Sequence, residues 1–139
     1  MAHLSQSAAS LRIGGDRLIP DEITRLLGAP PTHSLTKGEE IASKKTGRVR
    51  IAKSGMWSLA APDCKPANLD RQIQLILDQL TDDLSVWKSL TVHYKMDLFC
   101  GLFMEDSNEG MDLSPDSLTA LGQRGIKISL NIYAPILDG

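Results

Sequence analysis

Thr91–Met104 reads TVHYKMDLFCGLFM, and its pattern decides the fold class. From Val92 on, every second residue is apolar: Val92, Tyr94, Met96, Leu98, Cys100 and Leu102. The positions between them start polar at His93, Lys95 and Asp97, then turn aromatic or small at Phe99, Gly101 and Phe103. A period of two marks a strand with one face on a core. The far end, apolar on both faces, predicts a strand inside a sheet with cover on both sides.

Upstream, Leu69, Ile73, Ile76, Leu77, Leu80, Leu84 and Trp87 recur at helical spacing, with Asn68 as N-cap. This predicts an amphipathic helix from Asn68 to Leu90 lying on the sheet. A kink or break is expected at Thr81-Asp82-Asp83, which can cap a new start. Downstream, Glu105 to Asp112 is an acidic turn. Ser114 as N-cap, Pro115 at the first helical position and Gly125 as stop then define another helix. Ile126, Ile128, Leu130 and Ile132 alternate with polar residues as a last strand with one buried face, ended by Pro135.

In the first half, residues 1–7 are small and polar and read as a frayed end. Ala9, Leu11 and Ile13 alternate as a strand stopped by Gly14-Gly15. Pro20-Asp21-Glu22 opens a short helix with Ile23, Leu26 and Leu27 on one face and Gly28 as cap. Residues 32–48 show no periodicity and read as a long exposed loop, functional or mobile. Val49-Arg50-Ile51 and Met56-Trp57-Ser58-Leu59 resume strand character, with Trp57 and Leu59 sharing a face. Pro62 and Pro66 bracket a linker.

Leu18-x-Pro20-Asp21-x-Ile23-Thr24-x-Leu26 echoes Leu113-x-Pro115-Asp116-x-Leu118-Thr119-x-Leu121. A shared helix opening accounts for the match; a duplicated βαβ half, as in ferredoxin-like folds, is the alternative. The expected class is α+β: one domain over residues 1–139, in the order β-α-β-α-β-α-β. Its sheet would be mixed or antiparallel, of four or five strands, with helices mainly on one face.

Composition narrows the function classes. With 139 residues, 42% hydrophobic and 23% charged, the chain is an ordinary globular domain with its own core. A net charge of −2 disfavours a dedicated nucleic-acid binder. No apolar run is long enough to span a membrane, and the N-terminus lacks the basic start and apolar core of a signal peptide. Two cysteines without metal spacing fit reduced thiols and a cytoplasmic protein.

Local chemistry is sparse. Cys100 shares the core parity of Leu98 and Leu102 and reads as an inert buried thiol, with His93 on the opposite parity. His3, His33 and His93 give no zinc spacing. Asp106, Asn108 and Asp112 are spaced like early calcium ligands, but Gly110 comes one place early and Ser117 stands where a bidentate Glu is needed. No phosphate-binding glycine motif is present. No cofactor and no metal are therefore expected. The charge is uneven, however: Lys37, Lys44, Lys45, Arg48, Arg50 and Lys53 face only Glu39 and Glu40 across residues 37–53. That segment, with Lys44, Lys45, Arg48, Arg50 and Lys53 foremost, is a candidate surface for an anionic partner.

Taken together, Leu11-Arg12-Ile13, Pro20-Asp21-Glu22-Ile23, Gly55-Met56-Trp57-Ser58-Leu59, Asp97-Leu98-Phe99-Cys100-Gly101, Leu113-Ser114-Pro115 and Leu130-Asn131-Ile132-Tyr133 resemble the bacterial family called domain of unknown function 4279. The likeness runs from about Leu11 to Tyr133. It implies a small stand-alone bacterial α+β protein without established activity, and loosely a link to toxin–immunity neighbourhoods. It supplies no catalytic residues.

Three function classes follow. A non-enzymatic protein-binding module, such as an immunity-type inhibitor, leads, since the chain carries no catalytic motif. A small-ligand binder or enzyme would need a pocket on the sheet face where Trp57, His93, Asp97 and Arg50 converge. A structural homo-oligomer would show an exposed apolar patch or an unpaired edge strand.

Overall fold

The computed structural model describes residues 2–136. In chain order the elements are β1 (Ala2–His3), β2 (Gln6–Gly15), α1 (Pro20–Leu27), β3 (His33–Leu35), β4 (Glu40–Ala42), β5 (Val49–Ile51) and β6 (Gly55–Ala60). They continue with α2 (Leu69–Leu77), α3 (Leu84–His93), β7 (Lys95–Phe103), β8 (Glu109–Gly110), α4 (Pro115–Gln123) and β9 (Lys127–Tyr133). Five strands form a mixed sheet in the order β3-β6-β2-β7-β9. All neighbours are antiparallel except β7 and β9, which run parallel. The class is α+β.

Alternation sets the two faces of this sheet. Ala9, Leu11 and Ile13 of β2, Trp57 and Leu59 of β6, and Met96, Leu98, Cys100 and Leu102 of β7 are all buried on one face. Ile23 and Leu27 of α1, Ile73 and Ile76 of α2, Trp87 and Leu90 of α3, and Leu121 of α4 complete that core. The helices thus cover one face and leave the other open. The Trp57 indole N–H donates to the Thr24 hydroxyl at 3.1 Å, so the largest core side chain of β6 also fixes α1.

Helix ends follow the local chemistry of the chain. Pro20 opens α1, and Gly28 closes it at φ 90°, where a side chain would be strained. Asn68 and Ser114 cap α2 and α4 by accepting from Arg71 N–H and Ser117 N–H, each at 3.1 Å. The expected break occurs: α2 stops at Leu77, and the Asp83 carboxylate caps α3 by accepting from Ser85 N–H at 3.0 Å. The two copies of the echo sit in different settings: α4 joins the parallel neighbours β7 and β9, whereas α1 joins β2 to β3, which run parallel with β6 between them.

Several expectations need correction. The alternation at Val92 and His93 belongs to the last turn of α3; the strand starts at Lys95. Strand β7 is interior but covered on one face only, so Phe99 shelters under the Arg12 guanidinium at 4.4 Å and Phe103 stacks on Tyr133 at 4.7 Å. Residues 32–48 are not a plain loop: they contain β3 and β4, and β4 pairs with β5 as a hairpin. The N-terminal segment is tied in as well, since β1 pairs with β8 and β2 begins at Gln6; Met1 lies outside the described residues. From Ile126, just before β9, burial fades along the strand to exposed Leu130 and Ile132, because this strand is the sheet edge and the helical layer does not reach its far end. No helix among the described residues is long and apolar enough to cross a membrane.

One buried polar cluster locks the helical layer to the sheet. Ser7 and Gln72 are both 0% exposed, so every polar atom they carry needs a partner inside the protein. The Ser7 hydroxyl donates to Gln72 Oε1 at 2.6 Å and accepts from Asn68 N–H at 2.9 Å. Gln72 Nε2 donates to the carbonyls of Ser7 and Pro62 at 2.9 and 3.0 Å. Replacing Ser7 with Ala leaves the buried Gln72 carbonyl without its donor and removes the acceptor of the Asn68 amide. The expected loss is about 1–3 kcal/mol, read as a lower urea midpoint with an unchanged slope; an unchanged midpoint would show that the cluster contributes nothing.

Candidate functional site

The open face carries the residues of opposite parity. Arg12 of β2 lies directly across from Asp97 of β7, and Asp97 in turn from Lys127 of β9. Arg12 Nε and Nη2 donate to the two Asp97 oxygens at 2.8 and 2.6 Å, a bidentate pair. Ser129 Oγ donates to Asp97 Oδ2 at 3.0 Å. Partial burial works against the charged carboxylate. The hydrogen bonds from Arg12 and Ser129, with the positive charges of Arg12 and Lys127, outweigh it and hold Asp97 below the usual carboxylate range. The Asp97 hydrogen bond likewise raises Arg12 despite its desolvation.

Next to this pair, the β4–β5 hairpin folds beside the ends of β2, β6 and β7. Its base is closed by Ala52 N–H to the Glu39 carbonyl and Gly38 N–H to the Ala52 carbonyl, both at 2.9 Å. Between hairpin and sheet is a cavity of about 460 Å³. Its apolar lining is Leu35, Ala52 and Met56, with β2 and β7 passing at Ile13 and Met96, whose side chains turn to the helical core, and its charged rim is Arg12, Arg50, Lys53, Lys95, Lys127 and Asp97. Five cations therefore meet one carboxylate, and that carboxylate is already spent on Arg12. Among the described residues, Arg50, Lys53, Lys95 and Lys127 form no ion pair. An apolar floor under clustered, unneutralised cations suits an anion with an apolar body. Gly55 at the cavity wall has a spatial reason: a Cβ there would sit 2.9 Å from the carbonyl oxygens of both Gly15 and Leu18.

The expected site residues separate. Arg50 and Lys53 line the cavity, whereas Lys44, Lys45 and Arg48 lie in or beside the turn at the hairpin tip, exposed and away from it. Asp97 is in the cavity. Trp57 is not, because its parity sends it into the helical core. His93 ends α3 and lines a different depression with Gly15, Tyr94 and Lys95. Arg12, Lys95 and Lys127 were not singled out in the sequence. Their trace there is opposite charge at the polar positions of three alternating strands, which becomes a site only once the register aligns them.

A larger groove of about 860 Å³ runs between α2 and α4, but its charge is net acidic: Asp70, Asp78, Asp82 and Asp116 face only Arg71 and Arg124. Its best-placed carboxylate is committed to structure, since Asp70 accepts from Ser117 Oγ at 2.6 Å and Ser114 N–H at 3.0 Å. Cys100 is buried on the helical face, with its thiol pushed up to about 12 by desolvation and by the charge of Asp97, and is no nucleophile.

Because the folded protein lowers the Asp97 pKa, the stabilisation is present above the unfolded value and fades as pH falls through the folded one. Asp97→Asn should cost about 1–2 kcal/mol at neutral pH, discounted for an Arg12 partner that is 41% exposed. The gap from wild type should narrow as pH drops below the ordinary carboxylate value of 3.8. A gap independent of pH in urea titrations would assign the effect to packing instead.

No curated protein and no solved structure gives a significant match to the chain. A family model, domain of unknown function (DUF4279), matches residues 5–135, nearly its whole length. The chain belongs to that family.

Proposed function

We propose that this protein is a non-catalytic binding module that takes an anionic small molecule with an apolar body into the cavity between the β4–β5 hairpin and the open sheet face. The carrying observation is the rim of Arg50, Lys53, Lys95 and Lys127, four cations without an ion-pair partner among the described residues, over an apolar floor. At an effective dielectric near 20, a carboxylate or phosphate oxygen about 4 Å from one such cation gains roughly 4 kcal/mol before desolvation. Clustered like charges also repel one another, so an anion relieves strain that the free protein bears.

The lining argues for binding rather than chemistry. It holds no His or Cys, and its one carboxylate is held charged by a bidentate partner, which makes it a weak proton acceptor. This reading draws the basic segment and the sheet-face pocket into a single site. Capture of a protein partner by the basic loop alone, as in an immunity-type inhibitor, would instead depend on the hairpin tip.

The two readings separate by substitution. Phenylphosphate, an anion on an apolar ring, should bind saturably and more weakly as salt is raised, whereas neutral phenol should not. Arg50→Gln with Lys53→Gln should weaken phenylphosphate binding at least about tenfold, the ~1.4 kcal/mol of one lost contact. Lys44→Gln with Lys45→Gln should leave it unchanged. Equal binding by wild type and the Arg50/Lys53 variant in calorimetry would remove the cavity from the account.

A further inference from the structure

We infer that a second copy of this chain pairs with β9, joining two five-stranded sheets edge to edge across a twofold axis. The edge at β9 is seven residues long, from Lys127 to Tyr133, and pairs on one side only, with β7. No backbone hydrogen bond among the described residues reaches its outer side. Sheet edges of this kind are usually blunted by charge, proline or a covering segment. Within β9 the only charge is Lys127 at the start, and proline comes only at Pro135. The opposite edge, β3, has three residues and offers far less.

The side chains say which partner fits. Leu130 is 51% and Ile132 59% exposed, although both share the face of buried Cys100 and Leu102, their neighbours across β7. An antiparallel strand laid on β9 about Leu130 would supply the missing cover if it carried apolar residues at the same parity. The β9 sequence meets that requirement itself. Centred on Leu130, two copies align Ile128 with Ile132, Ser129 with Asn131, and Lys127 with Tyr133.

Each ammonium then lies beside a phenol ring rather than the other ammonium. The two lysines are six residues apart along the strands, ~20 Å, beyond the screening length of about 8 Å at physiological salt. The contact is isologous, so it closes at two copies instead of growing into a fibre. Both open faces, with their cationic cavities, end on the same side of the joined sheet.

Analytical ultracentrifugation from low to high micromolar concentration tests this directly. Wild type should sediment at twice the chain mass, and Leu130→Lys, which places like charges across the axis, at the chain mass. Circular dichroism and a thermal melt confirm that the variant folds, as a half-exposed site should allow; if it does not, Ile132→Lys gives the same reading. In the dimer, half of the β9 amides gain hydrogen-exchange protection that the variant loses. A wild type of single-chain mass at every concentration, or a dimer indifferent to both substitutions, would overturn the inference.

Discussion

The register between β2 and β7 is the constraint on which the rest depends. Nine consecutive residue pairs run from Gln6 opposite Phe103 to Gly14 opposite Lys95. Since side chains alternate, a slip of one residue would turn Leu98 and Cys100 to solvent and drive Asp97 into the helical core. The Arg12–Asp97 bidentate contact favours this register from the open face, while Leu11, Ile13 and Leu98, almost fully buried, favour it from the other. With β2 and β7 fixed, β6 and β9 take the outer positions, and Lys127 falls beside Asp97.

The two faces divide the work. The helical face is covered except at the far end of β9, and the buried polar atoms of Ser7 and Gln72 find partners within it. The open face remains polar, partly screened by its own aromatic and guanidinium layers, with a hairpin standing at one end. That hairpin converts a flat sheet surface into a concave one. It also brings Arg50 and Lys53, distant in sequence from β7 and β9, to the positive end of the Arg12–Asp97–Lys127 row. The excess of positive charge arises from folding, because the chain as a whole is slightly acidic.

Much of this was legible in the sequence, wherever the signal is local. The buried parities of β2, β6 and β7, the caps at Asn68 and Ser114, the break before Asp83 and the stop at Gly28 all follow from neighbouring residues. Where periods of two and 3.6 overlap the text is ambiguous: Val92 and Met96 fit a helical step as well as an alternating one, and the helix extends through His93. The small strands were hidden because they depend on partners elsewhere. Strand β1 needs β8, and β3 needs β6, while β4 and β5 flank a turn of polar residues that looks like loop. The candidate site was half visible. Arg50, Lys53 and Asp97 could be named from charge and parity, but Arg12 and Asp97 are 85 residues apart and only register brings them together. Trp57 shares its parity with Leu59, which points to the core, and it is fully buried there rather than lining the cavity.

The most direct test of the central claim is where an anion settles. Backbone amide shifts should be followed by NMR as phenylphosphate is added to the intact chain. The account predicts saturating shifts confined to residues 50–56, Lys95–Asp97, Lys127 and the Arg12–Gly14 end of β2, reduced by salt. Shifts centred on the hairpin tip at Lys44 and Lys45, on the groove between α2 and α4, or spread thinly over every basic side chain would contradict it.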